Sequence, residues 1–247
     1  MKYFAKVKYL GSDFSGFQVQ PGCRTVQGEL CRALGETFGL PAKVTGCSRT
    51  DAGVHANEFC ITVECDGASI PADKLPLAVS RFMPPDLSLY HAEECSNTFH
   101  PRYDAKSKEY LYRIKNCPIY DPFEYGRAWF LPKKITENGV QNMRSAAKYL
   151  VGTHDFAAFM SEGSDVQSTV RTVYYIDVLQ NDDLIEIKIC ADGFLYNMVR
   201  IIIGTLIEVA YGRMSPSYVG TVLNSLDRQN AGMTAPPCGL YLNKVNY

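Results

Sequence analysis

Alternation with a period of two opens the chain: Tyr3, Ala5, Val7 and Tyr9 fall on one face and Phe4, Lys6 and Lys8 on the other, which predicts a strand. Behind Thr25, residues Val26, Leu30, Leu34 and Phe38 recur at four-residue spacing, so the threonine reads as the cap of a helix. Alternation returns from Glu58 to Cys65, with Phe59, Ile61, Val63 and Cys65 set against Glu58, Cys60, Thr62 and Glu64. A helix from about Ala72 to Phe82 is stopped by Pro84 and Pro85, and a strand covers about Leu87 to Ala92. The order of this half is βαβαβ or βαββαβ.

The second half starts with a strand from Lys108 to Lys115 that sets Tyr110, Tyr112 and Ile114 on one face. A helix from about Asn138 to Val151 ends at Gly152, and strands follow near Val170 to Gln180 and Leu184 to Cys190. Two helices, about Phe194 to Tyr211 and Pro216 to Leu226, precede a closing strand near Leu240 to Val245. Strands that come singly or in hairpins between helices predict an α+β fold with mostly antiparallel sheets backed by helices. Two tandem ferredoxin-like, RRM-like halves fit this order, residues 1–103 and 104–247, joined across a central cleft. The aperiodic stretch from Glu94 to Ala105 is the expected crossing point.

Composition narrows the class. At 247 residues the chain is long enough to bury one large core or two smaller ones. Its nine cysteines form no C-x-x-C pair, and no secretory signal leads the chain, so reduced thiols and a cytoplasmic location are expected. Four histidines without ligand spacing give no case for a metal. A net charge of −1 and a pI near 6.4 argue against a surface that is basic throughout. From His100 to Lys115, however, five basic residues (Arg102, Lys106, Lys108, Arg113, Lys115) face two acidic ones (Asp104, Glu109), an excess of three, with Tyr103, Tyr110 and Tyr112 interleaved. Cations neutralise phosphates and rings stack on exposed bases, which suits single-stranded or distorted nucleic acid. A solvated strand with one packed aromatic face accounts for the same run.

Two segments carry candidate chemistry. Gly46 to Ala56 sets Arg49 and Asp51 two positions apart, with Gly53 free to take positive φ, and so reads as a turn presenting a carboxylate. The helix from Phe194 is apolar on nearly every side and is expected to be deeply buried, yet it holds Arg200 in its middle. A lone buried guanidinium costs several kcal/mol, so a carboxylate partner is expected, and Asp51 is a candidate. Asn197, Arg200, Gly204 and Glu208 interrupt the apolar run, which argues against a membrane span.

Gly46 to Ala56 resembles the signature loop of the tRNA pseudouridine synthases of the TruA type, and the likeness continues in order along the chain. Tyr9 to Gln18 with Arg24 to Gln27 is similar to the family's N-terminal motif; Phe99 to Arg102 and Tyr110 to Tyr112 are similar to its middle motifs. Gly152 to Phe156 with Phe159, Phe194 to Gly204, and Pro236 to Leu242 complete it. Phe17 stands where many members have Trp, and Ser48 where Gly is common.

The resemblance implies a cofactor-free isomerase that converts uridine to pseudouridine in the tRNA anticodon stem-loop, at positions 38, 39 and 40, acting as a homodimer. It assigns Asp51 as the nucleophile toward a flipped-out uridine and Tyr110 as the ring that stacks on uracil and can take the C5 proton. Arg200 becomes the partner of the carboxylate. Arg49 fills the space the uridine leaves, and Arg24, His100 and Arg102 join Arg49 and Tyr110 in substrate binding. An ordinary aspartate, with a pKa of about 3.9, is ionised at pH 7 without special tuning. Thr50 and His55 read as loop scaffolding. A tRNA-binding module without turnover, a small-molecule enzyme using a carboxylate or Cys47, and a Ser48–Asp51–His55 hydrolase are the competing readings, the last lacking any oxyanion motif.

Overall fold

The computed structural model describes residues 1–67, 70–163 and 166–247. Contacts divide the chain into two compact units: Met1–Lys106 with Tyr241–Tyr247, and Ser107–Leu240.

In the first unit the elements are β1 (Lys2–Tyr9), α1 (Val26–Phe38), β2 (Lys43–Gly46), β3 (His55–Glu64), α2 (Leu75–Ser80) and β4 (Leu87–Glu94). Antiparallel pairing orders the strands β4-β1-β3-β2, the arrangement of a ferredoxin-like βαββαβ unit. The closing strand Leu240–Asn246 adds to β3 in parallel, with Tyr241 opposite His55. Both faces of β1 are covered. Tyr3 stacks on Phe38 at the end of α1, whereas Phe4 meets Phe99 and Tyr247 edge-on. Thr25 caps α1 as expected, accepting from the Gly28 N–H at 3.2 Å. The stretch read as one helix from Ala72 is a 3-10 turn, Ala72–Lys74, followed by the short α2.

The second unit contains β5 (Ser107–Lys115), β6 (Trp129–Phe130), α3 (Glu137–Ala147), β7 (Gly152–Asp155), β8 (Val170–Asn181), β9 (Leu184–Ala191), α4 (Met198–Ala210) and α5 (Tyr218–Ser225). Its sheet runs β5-β9-β8-β7, all antiparallel, with β6 added to β5 in parallel. The fold class is therefore α+β with mostly antiparallel sheets. Ile185, Ile187 and Ile189 of β9 and nearly all of α4 are buried in this unit's core. The segment 228–235 crosses α4 so tightly that a Cβ on Gly204 would lie 1.8 Å from the Met233 carbonyl oxygen.

One element starts later than its apolar pattern suggests. Helix α4 begins at Met198, because Asn197 takes a left-handed conformation with φ 60° just before it. Phe194 and Leu195 lie outside the helix, and Arg200 sits in its first turn, half-buried. The expectation of a guanidinium deep in the middle of an apolar helix is thus corrected: burial of the run comes from its packing, and the positive φ of Asn197 sets where the helix can begin. Among the described residues no helix is long and apolar enough to cross a membrane.

Candidate active site

Asp51 lies on the loop between β2 and β3, and a second loop, residues 10–18, holds that loop from the side. The Phe17 N–H donates to the Thr50 carbonyl at 3.0 Å, and the Gly53 N–H to the Phe14 carbonyl at 3.4 Å. Within the turn the Val54 N–H donates to the Asp51 carbonyl at 3.2 Å, and Gly53 takes φ 79°. Side chains complete the clamp. Tyr9 and Thr50 share a buried hydroxyl–hydroxyl hydrogen bond of 2.8 Å, and the Gly11 N–H donates to His55 Nδ1 at 2.9 Å. The loops approach so closely at Gly11 that a Cβ there would lie 2.0 Å from the Val54 carbonyl oxygen. Asp51 itself is half-buried, on a backbone that the two loops fix together.

This geometry assigns the neighbouring residues. Thr50 and His55 are scaffold, as expected; His55 is fully buried, stacks on Tyr241 at 4.5 Å, and spends Nδ1 on a backbone donor. A hydrolase triad built on it has no physical basis. Cys47, the alternative nucleophile, has no exposed surface. Phe17 is buried and stacks on Phe59 at 4.4 Å, which keeps the large apolar anchor expected of it.

Arg49 is exposed and, among the described residues, has no ion pair, so the loop-stabilising salt bridge that would explain it otherwise is missing. It lines a cavity of about 260 Å³ together with Ser48, Phe17, His100, Arg102 and Tyr103. The sequence-derived candidates Arg49, His100 and Arg102 are therefore brought to one place. Arg24 is held elsewhere in the unit: it donates to both carboxylate oxygens of Asp86, at 2.7 and 2.8 Å, and lies over the Phe14 ring. That partner raises its already high pKa, and 35% of the side chain remains exposed.

In the second unit Tyr110 is buried on β5, its ring edge-on to Phe194 at 5.0 Å. Tyr112, two residues on, is a structural tyrosine: its hydroxyl donates to the Pro236 carbonyl at 2.7 Å, and burial pushes its pKa well above the usual phenol value. Arg200 donates from Nε to the Ala235 carbonyl at 2.7 Å and from Nη1 to Asn197 Oδ1 at 2.8 Å. The Ala235 N–H returns a bond to the Arg200 carbonyl at 3.0 Å. Arg200 thus ties the first turn of α4 to the chain ahead of the closing strand.

The basic run from His100 to Lys115 is less positive than its count. Arg113 pairs with Glu124 and Glu186, and Lys115 with Asp183 and Asp121. Sequence reasoning counted Tyr103 among the interleaved rings of this run but not among the site residues: it lies against His100 with ring centroids 4.3 Å apart and is 74% exposed. The available signal was a tyrosine directly after Arg102 in an otherwise polar stretch.

Residues 146–247 match the family model described as tRNA pseudouridine synthase. Over 241 residues the chain is 42% identical to the tRNA pseudouridine synthase A of Thermoanaerobacter sp. strain X514, covering 98% of this chain and 97% of that protein. It is 41% identical over 249 residues to that of Bacillus subtilis strain 168, covering 100% and 99%. A chain in the crystal structure of a Cbf5–Nop10–Gar1 complex aligns at 14% identity and a TM-score of 0.40, over 98% of this chain and about half, 49%, of that one.

Proposed function

We propose that the chain, which belongs to the tRNA pseudouridine synthase A family and isomerises uridine to pseudouridine in tRNA, acts through Asp51 on uridines of the anticodon stem-loop at positions 38, 39 and 40. The observation that carries the reading is the Asp51 loop, a half-buried carboxylate fixed by backbone hydrogen bonds and buried side chains on both flanks. The reaction breaks the bond from ribose C1′ to uracil N1 and makes one from C1′ to C5, while the C5 proton leaves and N1 gains one. Atoms and electrons are conserved, so the balance calls for no external oxidant, reductant or group donor.

In this proposal the Asp51 carboxylate attacks the nucleoside, at C1′ or at uracil C6, and is expelled when the rotated base rejoins the sugar. Arg200 is its cationic partner, holding the anion in position. Tyr110 stacks on the uracil and stands where the C5 proton must go; as a base at pH 7 a phenol, with a pKa of about 10, needs help from a partner. Arg49 fills the gap left in the stack, since a base inside a helix is out of reach. Arg102, His100 and the exposed edge of Arg24 supply further contacts to the RNA. A homodimer in the cytoplasm belongs to the same proposal; sedimentation of the purified chain tests the first and cell fractionation the second.

Incubation with tRNA tritiated at uridine C5 is expected to release tritium to water, and pseudouridine mapping is expected to find the product in the anticodon stem-loop. Asp51→Asn is expected to bind tRNA without turnover. Full turnover by that variant would remove Asp51 from the mechanism.

A further inference from the structure

Extracting one base from a strand also takes away a stacking face from its neighbour, and an RNA-modifying site that does so gains by giving the neighbour a new surface. The cavity beside the Asp51 loop has the parts for this. Its volume of about 260 Å³ is near the small end of ligand sites, roughly 300 Å³ and upward, and suits one nucleotide rather than a length of helix. Tyr103 offers a ring that is 74% exposed, backed by His100. His100 cannot swing away freely, because its Nδ1 accepts the Arg102 N–H at 3.1 Å and its own N–H donates to Asp104 at 2.8 Å. The Nδ1 bond also places the ring proton of the neutral imidazole on Nε2. Arg102 lies over the Tyr103 ring, 5.8 Å from its centre, far enough that the ring stays 74% exposed, and supplies a cation within reach of a stacked nucleotide's phosphate. Arg49 lines the same cavity and precedes Asp51 by two residues on the same loop, so the cavity adjoins the loop that carries the carboxylate.

We propose that this cavity binds a second unstacked nucleotide of the tRNA, a neighbour of the uridine that reacts, with its base on Tyr103 and its phosphate at Arg102. The inference rests on the tRNA reading above and adds a binding site to it. The site selects for a strand that can open at two adjacent positions, which favours loop ends over the interior of a stem.

The probe is an anticodon stem-loop RNA with cytidine at each of positions 38, 39 and 40, so that nothing can turn over, and 5-iodouridine at the outer flank, position 37 or 41, one at a time. Irradiation of the complex followed by peptide mapping is expected to find a crosslink at Tyr103 from one of the two flanks. Tyr103→Ala is expected to weaken binding of the same RNA by about tenfold, the scale of a single aromatic–base stack, and Tyr103→Phe to restore it, since the ring and not the hydroxyl acts. The exposure of Tyr103 leaves the fold of these variants intact. Crosslinks that map elsewhere from both flanks, or unchanged affinity of Tyr103→Ala, overturn the inference. Both readouts are independent of turnover: wild-type protein that crosslinks at Tyr103 yet releases no tritium from natural tRNA would sink the isomerase mechanism and leave this site standing.

Discussion

The Asp51 loop and the first turn of α4 are built by opposite means. In the loop, neighbouring residues do the holding: Phe17, Gly53 and Gly11 supply backbone donors, and Tyr9, Thr50 and His55 fill the interior. At α4 the functional candidate is also the fastener, since the Arg200 guanidinium itself donates to Ala235 and Asn197. At the first position the clamp is built from other residues, and at the second it runs through the functional side chain itself. Substitutions at the two places therefore have different signatures.

The largest effect is expected from Asp51→Asn. Asparagine keeps the turn preference and nearly the same shape but cannot serve as the anionic nucleophile, so tritium release falls by about a thousandfold or more. Stability in urea stays within about 1 kcal/mol of wild type, because the bonds that hold the loop do not pass through the carboxylate alone. A variant that lost both together would erase the distinction between the regions.

Next in size is Gly11→Ala, which attacks the scaffold and spares the carboxylate. Its Cβ would meet a backbone oxygen at 2.0 Å, and backbone cannot rotate aside as a side chain does. A loss of about 3 kcal/mol is expected from urea denaturation, with activity falling as the loop shifts. An unchanged midpoint would mean that the two loops are not clamped together.

Arg200→Met tests the other region. Removing the guanidinium leaves the Ala235 carbonyl without its Nε donor, worth about 2 kcal/mol, and weakens activity in the same variant. Loss of activity with full stability would show that Arg200, like Asp51, is carried by its surroundings, and the contrast between the regions would fail.

How much of this was readable in advance follows the same division. Regular elements were legible where side-chain period and cap agree: β1 and β3 from their alternation, α1 from Thr25 to Phe38 almost to the residue. Short strands were not, since the four residues of β2 and the two of β6 carry no period to detect. The start of α4 was misplaced because apolarity reports burial, while the positive φ of Asn197, which decides the boundary, leaves no hydrophobic trace. The motif loop stood out as a carboxylate on a turn, yet its clamp from residues 10–18 was invisible, because those contacts join backbone atoms far apart in the chain. Charge was the most misleading signal: a count of cations takes no account of the acids that fold against them.

That last point gives the smallest effect. Arg102 and Arg113 look alike in the basic run, but Arg113 is held between Glu124 and Glu186, whereas Arg102 is exposed at the cavity. A phosphate that approached Arg113 would have to compete with two carboxylates already in place. Arg102→Ala should therefore weaken tRNA binding a few-fold and lower the slope of log affinity against log salt by about one, the signature of a single lost phosphate contact. Arg113→Ala should leave that slope unchanged and act on stability instead. Equal salt slopes for the two variants would mean that tRNA displaces the Arg113 ion pairs on binding, and the sequence count of free cations would then be the better guide to the RNA surface than the folded pairing.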